Sequence, residues 1–105
     1  MFEKLKQDLY IAQKERDTLR VSVLRFLIAS IKDKEIELRT QGGVVDDELV
    51  FKTIKKQIKQ RREAAEGYEK VGRSDSAEKE LSEMAVLKEY MPEEDVNVNQ
   101  EARTQ

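Results

Sequence analysis

An all-α protein is what this sequence predicts: a bundle of about four helices arranged as two antiparallel hairpins, followed by a disordered C-terminal tail. Three observations predict it. Apolar residues recur at alternating spacings of three and four, the period of one helix face. Helix-starting acids and helix-ending glycines punctuate the chain at Asp17, Gly42-Gly43, Asp46 and Gly72. Charged residues make up 40% and hydrophobic residues 38% of the 105 positions, a balance that suits helices with a narrow apolar stripe and a broad solvated face. A chain of this length has room for one core.

Phe2, Leu5, Leu9 and Ala12 share one face and predict a first helix over about 2–14. Asp17 precedes Thr18-Leu19-Arg20 and is placed to accept from the free N–H groups of a second helix, about 17–41. Its stripe is Leu24, Leu27, Ile28, Ile31 and Leu38, extended by Val21 and Val23, and the Gly42-Gly43 pair ends it. Asp46-Asp47-Glu48 caps a third helix running to about residue 70, with Val50, Phe51, Ile54, Ile58, Ala65 and Tyr68 in register. After Gly72, Asp75 and Glu78 have the spacing of a capping box for a fourth helix, about 74–90, which carries Leu81, Met84, Leu87 and Met91 towards Pro92. The domain therefore covers 1–92. Residues 93–105 hold two isolated valines among polar neighbours, too little apolar surface to offset the entropy of ordering them, and are expected to form a disordered tail.

Composition narrows the chemistry. The chain has no Cys and no His, which removes thiolate catalysis, zinc sites and Glu-x-x-His di-metal sites, so neither a metal nor another cofactor is expected. Ser22 and Ser30 lack a predictable base and read as surface or small packing residues. The glycines are not followed by Lys-Ser or Lys-Thr, so no phosphate-binding loop is present. No catalytic residue is expected. No apolar run approaches the roughly 20 residues of a bilayer span, and no membrane association is expected. The N-terminus lacks a continuous apolar stretch, and Glu3, Asp8 and Glu15 are unlike an acid-poor transit peptide, which together point to a cytoplasmic protein.

What remains is surface. The run KTIKKQIKQRR holds Lys52, Lys55, Lys56, Lys59, Arg61 and Arg62 without an acid, and Lys52, Lys55, Lys59 and Arg62 line one face of about three turns. Two readings compete. The stripe either meets phosphates or an acidic protein surface, or it is solvated and salt-bridged to the acid-rich fourth helix. Arg20 and Arg25, set among the apolar positions of RVSVLRFL, either pair with carboxylates such as Glu35, Glu63 or Glu66 or line a polar groove. Phe26 and Phe51 read as stripe residues, and Tyr10, Tyr68 and Tyr90 as half-buried packing residues.

The pieces LKQDLYIAQKERD, LRVSVLRFLIASIKDKEIELR, IKKQIKQRREAAEGYEKVGRSD and EKELSEMAVLKEYMPEE together resemble the N-terminal helical domain of the YqeY-like (GatB/YqeY) family over about residues 1–94. KQRRE…YE…GR…D and EYMP are the most specific segments. The resemblance implies a helical fold and a relationship to the tRNA-dependent amidotransferase, a carbon–nitrogen ligase that uses glutamine as amide donor, without implying catalysis by this chain. The GatB-tail-like domain that typically follows is expected to be lacking. Matching polar positions on the surface are Arg20, Arg25, Lys55, Lys59, Gln60, Arg61 and Arg62. The expected role is that of an adaptor holding a protein partner. RNA, tRNA in particular, and a second copy of the chain are the alternatives.

Overall fold

The computed structural model describes residues 1–92, and the predicted tail lies outside the described residues. Four helices follow one another: α1 (Phe2–Lys14), α2 (Thr18–Thr40), α3 (Asp47–Lys70) and α4 (Ser74–Lys88). No strand occurs among the described residues. α1 packs on α2 and α3 packs on α4, giving the two hairpins, and α2 joins them by contacting α3 and α4.

Four of these boundaries have a clear local cause. The Asp17 carboxylate accepts from the Arg20 N–H at 3.1 Å and starts α2, and the Asp46 carboxylate accepts from the Leu49 N–H at 2.9 Å and starts α3. α2 ends as Gly42 takes φ +76° and the Gly43 N–H reaches back to the Leu38 carbonyl at 2.8 Å. Gly72, at φ +75°, ends α3 the same way, with the Arg73 N–H donating to the Tyr68 carbonyl. The capping box expected at Asp75 and Glu78 does not form. Arg73 occupies the cap position without a side-chain bond, so Asp75 falls inside the first turn, where its charge still complements the helix dipole.

The α1–α2 turn is less well matched to its residues. Arg16 adopts φ 58°, a left-handed conformation that costs an L-residue about 1–2 kcal/mol. Its side chain is exposed. Arg16→Gly is therefore expected to raise stability by up to about 1 kcal/mol, after allowing for the extra freedom of glycine in the unfolded chain. Thermal or urea unfolding of the two proteins checks this.

The core is a single seam of Leu5, Val23, Leu24, Leu27, Ile28, Ile31, Val50, Ile54, Ile58, Met84, Val86, Leu87, Tyr90 and Met91. Phe2, Leu9, Leu19 and Phe51 pack partly buried at its margin. Leu81 falls outside it and is 39% exposed. No helix among the described residues is long and apolar enough to cross a membrane.

Candidate docking groove

α2 is longer than its buried stripe needs. Val23, Leu24, Leu27, Ile28 and Ile31 face inward, and on an adjoining face Ser22, Phe26 and Ser30 recur one turn apart. α3 runs antiparallel to it and presents Thr53, Gln57, Gln60 and Ala64 on the neighbouring face. Between the two helices lies a groove. One part, about 330 Å³, is lined by Ser22, Phe26, Gln57, Gln60, Arg61, Ala64 and Glu80. The next, about 680 Å³, shares Phe26, Gln57 and Gln60 and continues past Asp33, Lys34 and Glu37 on α2 and Leu49, Lys52 and Lys56 on α3.

Phe26 stands at the junction, 54% exposed. It therefore does not belong to the core stripe in which its sequence spacing placed it. The core side of α2 is already filled by the residues on either side of it, and Ser22 and Ser30, small and polar at i−4 and i+4, mark its face as an outer one.

Arg61 defines one end of the groove. Its side chain is 15% exposed, with Nη1 3.2 Å from Glu83 Oε1 and 3.5 Å from Glu80 Oε2. The guanidinium lies 5.9 Å from the Phe26 ring centre, within range of a cation–π contact. Gln57 lies deeper, at 4% exposure. The Ser30 hydroxyl donates to the Phe26 carbonyl at 3.1 Å, which leaves Ser30 Oγ to accept from Gln57 Nε2 at 3.0 Å. That fixes the amide orientation and leaves Gln57 Oε1 without a partner among the described residues.

The residues singled out from sequence divide into four groups. Gln60, Arg61 and Lys52 line the groove, and Arg25 lies beyond Phe26 in a shallow apolar depression with Val21 and Ser22. Lys55, Lys59 and Arg62 fall by helical geometry on the side of α3 turned away from α2. Of these, Arg62 is partly buried, and its Nε and Nη2 find no hydrogen-bond acceptor among the described residues. The basic stripe is thus divided: Arg61 is paired with α4, as the intramolecular reading expects, while Lys52 stands at the groove. Lys56 and Glu80 also line the groove and were not singled out. Lys56 lay within the basic run, but the register that placed it at the groove rather than on the outer face depends on where α2 packs.

Arg20 serves elsewhere. Its two terminal nitrogens grip the Glu89 carboxylate at 3.1 and 2.9 Å, and Nε lies 3.4 Å from Asp17. Its partner is Glu89 rather than Glu35, Glu63 or Glu66. Next to it the Tyr90 hydroxyl donates to Asp8 Oδ2 at 2.5 Å, and Lys4 Nζ donates to the same oxygen at 3.2 Å. Burial acts to raise the Asp8 pKa, but the bonds from Tyr90 and Lys4 and the charges of Lys4 and Arg20 outweigh it and hold the carboxyl below its ordinary range. Burial, reinforced by Asp8, pushes the Tyr90 phenol well above its ordinary value. Tyr90 is a core residue, at 8% exposure, and Tyr10 is exposed rather than half-buried.

These features define a small helical bundle with a lateral groove and a clasp that ties the end of α4 to the first hairpin. The chain belongs to the YqeY-like family, whose model, described as Yqey-like protein, matches residues 2–101. It is 38% identical to Altered inheritance of mitochondria protein 41, mitochondrial, of Eremothecium gossypii over 83% of this chain and 46% of that protein, and equally to the Lachancea thermotolerans protein of the same name. An uncharacterised protein of Schizosaccharomyces pombe is 31% identical over 90% of this chain and 74% of its own length. The chain thus spans less than half the length of the first two relatives.

Those names overturn the cytoplasmic expectation. The Eremothecium, Lachancea and Saccharomyces relatives are mitochondrial by name. The acids that made this N-terminus unlike a transit peptide serve the helix: Glu3 pairs with Lys6 and Asp8 with Lys4 and Tyr90.

Proposed function

We propose that the chain is a non-catalytic protein-binding module whose partner docks on the groove between α2 and α3. The observation that carries this is Phe26, an aromatic ring half exposed at the centre of a groove, braced by Arg61. Aromatic anchors of this kind dominate the energetics of protein interfaces. The chain offers no Cys or His for nucleophilic or metal chemistry, and its strongest ionic contacts, Arg61 with Glu83 and Arg20 with Glu89, hold helices together. The names of the relatives direct the search to mitochondria, and the GatB/YqeY resemblance directs it to assemblies around the tRNA-dependent amidotransferase.

The test is photo-crosslinking from Gln60 in a mitochondrial extract, with Phe26→Ala as control. Because the ring is half exposed, the substitution is expected to cost no more than about 1 kcal/mol of stability. Capture of a defined protein is expected to fall at least tenfold, a change of about 1.4 kcal/mol in binding. Equal capture by both proteins would sink the reading.

A further inference from the structure

We infer that the occupant of the groove is an amphipathic helix of a partner protein with one acidic edge and one basic edge. This rests on the docking reading above and adds the chemistry of the partner.

The shape comes first. Two antiparallel helices form the walls, and from Ser22 to Glu37 the α2 wall extends about 22 Å, the length of four helical turns. Phe26 and Leu49 supply apolar floor. A third helix laid along such a channel packs its side chains between the ridges of the other two, as in any helix-in-groove complex. An extended strand would need a sheet edge, and there is no strand among the described residues.

The charges then select the occupant. The α3 wall carries Lys52 and Lys56, and the α2 wall carries Asp33 and Glu37 together with Lys34, which lies 3.5 Å from Glu37 and is turned to it. Arg61, the cation lying over the Phe26 ring, is compensated by Glu80 and Glu83. A phosphate backbone entering here meets Asp33 as well as the lysines, and with Lys34 and Arg61 already paired to Glu37 and Glu80 the lining offers it little net positive charge. A helix with acids along one edge and bases along the other meets an opposite charge on each wall, in the way that flanking charges choose partners in coiled coils.

The experiment uses the full chain and fluorescent, hydrocarbon-stapled peptides of about 15 residues, with leucines at helical spacing. One has mixed edges, one has both edges acidic and one both edges basic; a single-stranded RNA of similar length is the fourth probe. By anisotropy, the mixed peptide is expected to bind at least tenfold tighter than either uniform peptide. In the Asp33→Lys/Glu37→Lys protein, whose changes are on exposed residues, the all-acidic peptide is expected to become the tightest. Phe26→Ala is expected to weaken every peptide at least tenfold. Binding that needs Phe26 but ignores edge charge overturns the inference and leaves the docking reading standing. Peptide binding indifferent to Phe26 overturns both. Tighter binding of RNA than of any peptide, or self-association lost in Phe26→Ala, assigns the groove to another occupant and overturns the inference, and no binding of any peptide overturns it as well.

Discussion

Replacing Arg61 by methionine is expected to lower stability by about 3–5 kcal/mol, the largest effect of any single change outside the apolar seam. The reason is Glu83. Its side chain is 8% exposed, and Arg61 is the cation at its carboxylate, 3.2 Å away. Removing the guanidinium leaves a negative charge that has given up its hydration without compensation. Methionine fills much of the same volume, so the loss reports charge more than packing. If that account is right, Arg61→Met/Glu83→Leu recovers most of the stability, because a buried pair replaced on both sides by apolar groups is often neutral. Urea unfolding decides it, read from midpoints at unchanged slope. A single-variant cost below about 1 kcal/mol would show that Glu83 is hydrated in solution and that the groove end is looser than described.

The second large effect is at the clasp. Tyr90→Phe removes the hydroxyl that donates to Asp8 and is expected to cost about 1–2 kcal/mol, because the part-buried carboxylate loses one donor and keeps the other from Lys4. Its pH dependence is more diagnostic. The Tyr90 pKa is raised in the folded state, so its contribution is complete below the unfolded value of about 10 and is lost as pH rises through the folded one. Above about pH 10 the wild-type protein should lose up to about 1.4 kcal/mol per pH unit from this group, and Tyr90→Phe should follow a shallower slope. Asp8 acts in the opposite sense. Its folded pKa is depressed, so its stabilisation is present above about pH 4 and lost as pH falls through the folded value. Parallel alkaline limbs for the two proteins would refute the assignment.

How far the sequence revealed these features depends on the range of each interaction. Helix boundaries were legible because Asp17, Asp46, Gly42 and Gly72 act on backbone groups within a few residues. The core was legible where spacing alone decides, as for Leu24, Leu27 and Ile31. Phe26 was misplaced because an apolar residue between stripe positions reads as a stripe residue until the neighbouring helix is known to leave it uncovered. Arg20 was seen to need a carboxylate, but Glu89 lies 69 positions away and no periodicity connects them. Of the candidate surface, Gln60, Arg61 and Lys52 reached the groove, whereas Lys55, Lys59 and Arg62 did not, because a rotation of one or two residues around a helix separates a groove wall from an outer face. The pairing of Arg61 with Glu83 followed the charge pattern of α3 and α4, since an antiparallel hairpin of a basic and an acidic helix brings such partners together.

The clasp also orders the birth of the fold. The Tyr90–Asp8 bond closes a span of 82 positions, whereas α3 and α4, which share the most extensive helix contact, meet across a three-residue turn. Loop closure over the longer span loses more chain entropy, so each hairpin has a shorter route to completion than the clasp. During synthesis α1 and α2 pair across their own three-residue turn, but the clasp waits until the last turn of α4 has cleared the exit tunnel. The clasp is thus a late contact, made only after both hairpins are in place.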